Sequence, residues 1–136
     1  MPVTNARQYH QTMVHYLRKT ITYSDDGSEI TIGQIPAGSV ILKPMSGVMV
    51  HTAFNAASTN VLDIGANGGD TGAADDPDRW ATDLALGTTT FVPLDENVTY
   101  RVSQDTIITA SVDLTGTAAT TGEAEVIICY IPDNDG

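Results

Sequence analysis

The chain is punctuated. Short runs rich in Val, Ile and Thr alternate with corners built on Gly and Pro, and this rhythm persists from about residue 29 to residue 131. The runs lie at 29–32, 40–42, 46–54, 61–64, 88–92, 98–102, 106–114 and 123–131, with a longer leading run at 12–23. Thr, Val, Ile, Ala and Gly are abundant while Lys and Glu are few, a balance that favours strands over helices. Eight or nine short strands joined by such corners define a β-sandwich or barrel. Unequal strand lengths and one long Gly- and Asp-rich excursion suit a jelly roll better than a symmetric repeat. The expected fold is therefore all-β, a jelly-roll-like β-sandwich with one short helix in a long loop. The helix is expected after Asp76, which stands as an N-cap with Pro77 at the first helical position. Trp80 and Leu84 would share its face, and Gly87 would stop it.

Strand periodicity assigns faces. In 46–54, Val48, Val50, Thr52 and Phe54 share one side, and Gly47, Met49, His51 and Ala53 the other. In 106–114, Ile108, Ala110, Val112 and Leu114 line one side. The last run, Val126 to Ile131, is apolar on both faces, as expected for a central strand covered on each side. Residues 65–74 read as loop, and Asp25-Asp26-Gly27 as a turn. A chain of 136 residues fits one such domain. The division expected is a basic N-terminal arm or edge strand, 1–24, and a single β-sandwich domain, 25–136.

Charge is distributed unevenly. Residues 1–24 contain Arg7, Arg18 and Lys19 and no acidic side chain, a formal +3. The remainder holds the other three basic residues and all 17 acidic ones, a formal −14, which gives the chain its net −11. An acidic body with a basic leading strand has two surfaces that prefer different partners, or copies of the same chain. The net charge argues against direct nucleic-acid binding, because most of the surface repels phosphate. No run of 18 apolar residues is present, so no membrane partner is expected. The first 20 residues lack the apolar core of a signal peptide, which points to synthesis and folding in a cytosol.

Catalytic signatures are missing. There is no Gly-x-Ser-x-Gly, no phosphate-binding loop ending in Lys, and no His-Glu-x-x-His. His10, His15 and His51 with the single Cys129 do not have zinc-ligand spacing. His10 and His15 are five apart, which puts them on opposite faces of a strand. Cys129 lies between Ile128 and Tyr130 and is expected to be a buried, inert thiol. Neither an enzymatic activity nor a cofactor is expected. Asp63, Asp70, Asp75, Asp76, Asp78 and Asp83 have the composition of a calcium loop, but lack its alternating ligands and closing Glu. They read as a solvated acidic loop. Trp80 and Leu84 are expected to be buried against the sandwich.

Three stretches carry a resemblance. They are Ile30-Thr-Ile-Gly-Gln-Ile-Pro-Ala-Gly-Ser-Val40, then Val50-His-Thr-Ala-Phe-Asn-Ala56 with Thr59-Asn-Val-Leu-Asp-Ile-Gly65, and Thr121-Gly-Glu-Ala-Glu-Val-Ile-Ile-Cys-Tyr130. Over roughly residues 30–131 the chain resembles the capsid cement, or head-decoration, proteins of tailed bacteriophages, such as that of a Bordetella phage. These are strand and corner signatures, so no site residue is carried over. The resemblance implies a non-enzymatic virion protein, made in the bacterial host cytoplasm and seated on the outer surface of the capsid. There it would cement neighbouring major capsid protein subunits and stabilise the DNA-filled head. The implied partners are the phage major capsid protein and a second copy of the chain, as a homodimer at capsid two-fold positions. The residues expected to make these contacts are Arg7, His10, His15, Arg18 and Lys19, on an arm or edge strand that pairs with a partner strand. A receptor- or glycan-binding jelly roll of a phage tail is the alternative. It needs aromatic platforms, and aromatics are only 6% of the chain, so Trp80 and a few Tyr would have to supply them.

Overall fold

The structure, a computed structural model, describes residues 13–68 and 76–133. Nine antiparallel strands form two sheets: β1 (His15–Thr22), β2 (Glu29–Ile35), β3 (Val40–Ile41), β4 (Gly47–Thr52), β5 (Thr59–Asn67), β6 (Asp76–Ala85), β7 (Phe91–Pro93), β8 (Thr106–Thr115) and β9 (Glu123–Ile131). One sheet runs β1-β9-β4-β7, with β3 also pairing β9, and the other runs β2-β8-β5-β6. The strands β3 and β4 lie end to end along one side of β9. Counted as one, they leave eight strands whose antiparallel partners are nested: β1 with β9, β2 with β8, β4 with β7, β5 with β6. That nesting is a long hairpin rolled up on itself, which is the jelly roll.

The corners fall where the backbone needs glycine. Gly27 at φ +80 and Gly38 at φ +85 occupy the left-handed region that only glycine enters at little steric cost. The break between β3 and β4 is a single 3-10 turn, Lys43–Met45, with Pro44 in it. Buried Ser46 repairs the ladder there. Its hydroxyl accepts from the Cys129 amide at 2.9 Å and donates to the Leu42 carbonyl at 2.9 Å. A hairpin strand can thus kink without stranding a buried N–H.

Between the sheets lies one core. Trp80, Ile21, Ile35, Leu62, Ile64, Leu86, Leu94, Ile108 and Ile128 are fully enclosed, with Val48, Val50 and Val102. Burying each Ile or Leu contributes about 1.5–3 kcal/mol. Along β8, Ile108, Ala110 and Val112 point inward, and along β9, Ala124, Val126 and Ile128 do. The strand β1 closes one side of the sandwich. Ile21 is fully buried, and Leu17 rests against Gly33 of β2, where any Cβ would meet the Leu17 methyls at 2.9 Å.

Three expectations are corrected. No helix follows Asp76: the segment is strand β6, at the edge of the four-stranded sheet. Trp80 and Leu84, four apart, are both buried, and that spacing alone does not tell a helix from a strand. Two bulges hide the alternation. Leu62 and Ile64 of β5 face Leu84 and Ala81, which are three apart, and the extra residue is taken up near Asp83 at φ +56. Pro77 has no N–H to donate, which an edge strand tolerates. Secondly, the expected strand at 98–102 is not a strand. The Tyr100 and Val102 carbonyls accept from the Ile41 and Gly38 amides, the Val102 amide donates to the Ser39 carbonyl, and Arg101 forms an isolated bridge to Val40. Thirdly, Gly65 to Asn67 belong to β5 rather than to a loop. Gly65 is needed there because a side chain would collide with the backbone of Asp76 and Pro77. Residues 69–74 of the expected loop lie outside the described residues.

Candidate functional site: an edge strand and the sheet face beside it

Arg7 and His10 lie outside the described residues. The other expected contact residues, His15, Arg18 and Lys19, are all on β1 and all exposed. This strand is the outer edge of its sheet, with β9 on one side and, among the described residues, no strand on the other. Its unpaired backbone groups are the kind of edge that can accept a further strand.

Register splits β1 into two faces. His15, Leu17, Lys19 and Ile21 lie opposite Tyr130, Ile128, Val126 and Ala124, the inward row of β9. Leu17 and Ile21 anchor the strand. Lys19 shares their side yet is exposed at the rim, and it forms no ion pair with any described residue. A lysine placed this way discourages indiscriminate edge pairing. The His15 ring packs against Tyr130 with centroids 5.7 Å apart. Tyr16, Arg18 and Thr20 lie opposite Cys129, Ile127 and Glu125, on the outward row.

Arg18 is already engaged. Its Nε donates to Glu125 Oε2 at 2.8 Å and its Nη2 lies 2.6 Å from the same oxygen. The hydrogen bond and charge of Glu125 push the Arg18 pKa up. The His51 Nε2 sits 3.9 Å from the other Glu125 oxygen. Of the two cations expected to reach a partner from β1, Lys19 is therefore the one that has no internal counterion among the described residues.

Other sequence-level candidates fall elsewhere. Trp80 is fully buried, its ring tilted against Tyr100 with centroids 5.5 Å apart and the Arg79 guanidinium 5.2 Å from its ring. Trp80 is thus unavailable as a surface platform for sugar. Cys129 is half-buried on the outward row, and desolvation pushes its thiol pKa up, away from a reactive thiolate. Asp70 and Asp75 lie outside the described residues. Asp63 accepts the Asp83 amide at 2.7 Å, and Asp76 lies 3.6 Å from Arg79. Among the described residues, no three His, Cys, Asp or Glu side chains converge as a metal site would require.

Sequence reasoning missed the outward face of the five-stranded sheet. Its rows, read across the strands, are Tyr16-Cys129, then Arg18-Ile127-Gly47-Pro93, then Thr20-Glu125-Met49-Phe91, then a polar rim of Thr22-Glu123-Thr52, with Val40 beside Ile131 at the other end. An antiparallel sheet facing water ordinarily turns polar residues outward. This one turns out a largely apolar surface, and Tyr16 is 61% exposed, Val40 38%, Ile131 37% and Phe91 36%. The signal was present in the two apolar faces of β9. Its inner face is covered, as expected, but Ile127 and Cys129 on its outer face are only half-buried.

The eight-strand jelly roll is a scaffold shared by many functions. No protein-family model matches the chain, and no curated protein matches it. Among solved structures it is similar to a chain described as "Cyanophage Pam1 capsid asymmetric unit", with a TM-score of 0.61. The two share 15% identity over 90% of this chain and 87% of that one. At that identity the likeness is one of fold, and it extends over nearly the whole of both chains.

Proposed function

We propose that this protein is a non-enzymatic structural component of a tailed-phage virion, a cement protein bound to the outer surface of the capsid. The observation that supports it most is the end-to-end fold likeness to a chain of a phage capsid asymmetric unit. The resemblance of residues 30–131 to phage head-decoration proteins supports it independently of that comparison. The chemistry of the surface agrees. Catalytic signatures are missing from the sequence, the single thiol is not activated, and β1 offers an exposed edge with a cation beside it.

In this reading β1 pairs with a strand or arm of the major capsid protein. Main-chain hydrogen bonds supply the joint and Lys19, with Arg7 and His10 upstream, selects an acidic partner patch. One exposed charge pair contributes only about 0–1 kcal/mol. Repetition over many equivalent capsid sites makes small increments count through avidity. The acidic remainder of the surface faces solvent, and no direct contact with nucleic acid is made.

Co-sedimentation with phage heads that lack the protein tests the reading. Binding should saturate at a fixed copy number per head and weaken as salt rises. Lys19→Glu should weaken it further while leaving the melting temperature nearly unchanged, because an exposed edge residue contributes little to stability. No binding of the wild-type protein at any salt would refute the assignment.

A further inference from the structure

We infer that the free edge of β1 takes a strand of one pattern, an acidic residue followed two positions later by an aliphatic one, added antiparallel across Tyr16 to Thr20. The inference rests on the cement reading for the source of that strand, the major capsid protein. It goes beyond that reading by fixing where the strand lies and what it carries.

Backbone direction comes first. In an antiparallel ladder a residue turns its N–H and C=O to the same side, and successive residues turn theirs to opposite sides. Cys129 turns both away from β1: its amide donates to Ser46 Oγ at 2.9 Å, and its carbonyl accepts from the Leu42 amide at 2.8 Å. Tyr16 lies opposite Cys129, so its own groups turn away from β9. The other end of β1 gives the same phase, because the Tyr23 amide donates to the Gly122 carbonyl of the β9 side at 3.2 Å. His15, Leu17, Lys19 and Ile21 therefore bond to β9. Tyr16, Arg18 and Thr20 present three donors and three acceptors to the open edge.

Thr22 is next in that series, and its amide is already taken. It donates to Asp25 Oδ2 at 2.8 Å, within the capping box of the 3-10 turn Tyr23–Asp25. The usable edge thus stops at Thr20, and a strand that reaches back to Tyr16 gains three bonded pairs.

Side chains set the pattern. Lys19 has no internal counterion among the described residues, so a carboxylate opposite it completes an ion pair. Leu17 is half-buried, and an aliphatic side chain opposite it extends its cover. The residue between them faces Arg18, which Glu125 already holds at 2.6 Å, so no charge is selected there. Every ladder of both sheets is antiparallel, and parallel pairing is the less stable per residue. An antiparallel chain meets Lys19 before Leu17, so it reads acid-x-aliphatic. Residues 1–24 hold no acidic side chain, which excludes the β1 of a second copy as the occupant.

The test needs no capsid. The full chain is extended after Gly136 by about 20 Gly and Ser residues, which span on the order of 25 Å, and ends in Thr-Glu-Thr-Val-Thr. Amide hydrogen exchange is read residue by residue by NMR. Without the extension, Leu17, Lys19 and Ile21 should exchange slowly and Tyr16, Arg18 and Thr20 fast. The tethered strand, at an effective concentration in the millimolar range, should slow the latter three at least about twofold. A Lys in place of its Glu should weaken the pairing about two- to fivefold, the scale of one exposed ion pair. Lys19→Glu should reverse that preference. The order Thr-Val-Thr-Glu-Thr should protect less, because with its Glu at Lys19 it runs past Thr20 to the occupied Thr22 amide. Fast exchange at Leu17 and Lys19, equal protection by the Glu and Lys extensions, or better protection by the reversed order would each overturn the inference. If the protein binds heads while no extension protects the edge, the cement reading stands and this inference alone falls.

Discussion

Ile21→Ala separates a strand that is built into the sandwich from an arm that merely lies on it. Ile21 is fully buried and faces Ala124 across the β1–β9 ladder. At about 0.8 kcal/mol for each methylene-sized group, the truncation forfeits about 2.4 kcal/mol of transfer free energy. A cavity adds to this, and measured Ile→Ala losses in cores span about 2–5 kcal/mol. Because β1 is an edge strand it can relax inward, so the lower half of that range, about 3 kcal/mol, is expected. For a chain of this size each kcal/mol moves the melting temperature by about 3–5 °C, which gives a fall of about 9–15 °C. Differential scanning calorimetry reads it directly. Thr20→Ala, one residue away and exposed, is the control and should stay within about 0.5 kcal/mol of wild type. An Ile21→Ala protein that melts within about 3 °C of wild type would show that β1 is not part of the cooperative unit. The placement of Lys19 and Tyr16 on a rigid edge would then fail with it.

Two further outcomes are expected. Ser46→Ala removes the hydroxyl that accepts the Cys129 amide and donates to the Leu42 carbonyl, leaving a buried N–H unpaired. A loss of about 1–3 kcal/mol is expected from the midpoint of urea unfolding, with the fold retained. Asp63 gives a pH signature: desolvation first, then the charges of Asp83, Asp78 and Asp113, push its pKa above the ordinary carboxylate value. A raised folded-state pKa means that the folded chain takes up this proton before the unfolded chain does. The contribution of Asp63 to stability therefore rises as pH falls from neutral through the raised pKa, and levels off below the ordinary carboxylate value. Asp63→Asn should remove that rise from the profile of melting temperature against pH, while Asp113→Asn should only reduce it.

The strand rhythm was legible because period-two patterns survive wherever a sheet has one buried face. The runs at 46–54, 106–114 and 123–131 appear as β4, β8 and β9 with their inward residues on the expected sides, except that a bulge after Val50 turns Thr52 outward, opposite Glu123. Bulges erase that signal. In β6 the extra residue near Asp83 shifts the phase between Trp80 and Leu84, and the Asp-Pro-Asp start satisfies the rules for a helix N-terminus as well as those for an edge strand. The run at 98–102 has strand composition, but it meets 38–41 through single bridges because β3 is only two residues long. Ion pairing across strands was also invisible. Nothing in the order of residues announces that Arg18 and Glu125, 107 positions apart, share one row and cancel.

The apolar outward face follows from the same logic, since period two lets one strand serve two masters. Through Leu17 and Ile21, β1 is fastened to the core, and the alternate residues Tyr16, Arg18 and Thr20 are thereby held at fixed heights on the outside. Likewise Val126 and Ile128 secure β9 inside while Ile127 and Cys129 point out. The two sheets spend their outward positions differently. The four-stranded sheet displays Glu29, Asp63 and Asp113, side chains that favour water and repel copies of the molecule. The five-stranded sheet displays Tyr16, Ile127, Met49 and Phe91 beside the Arg18–Glu125 pair, with Glu123 at its rim.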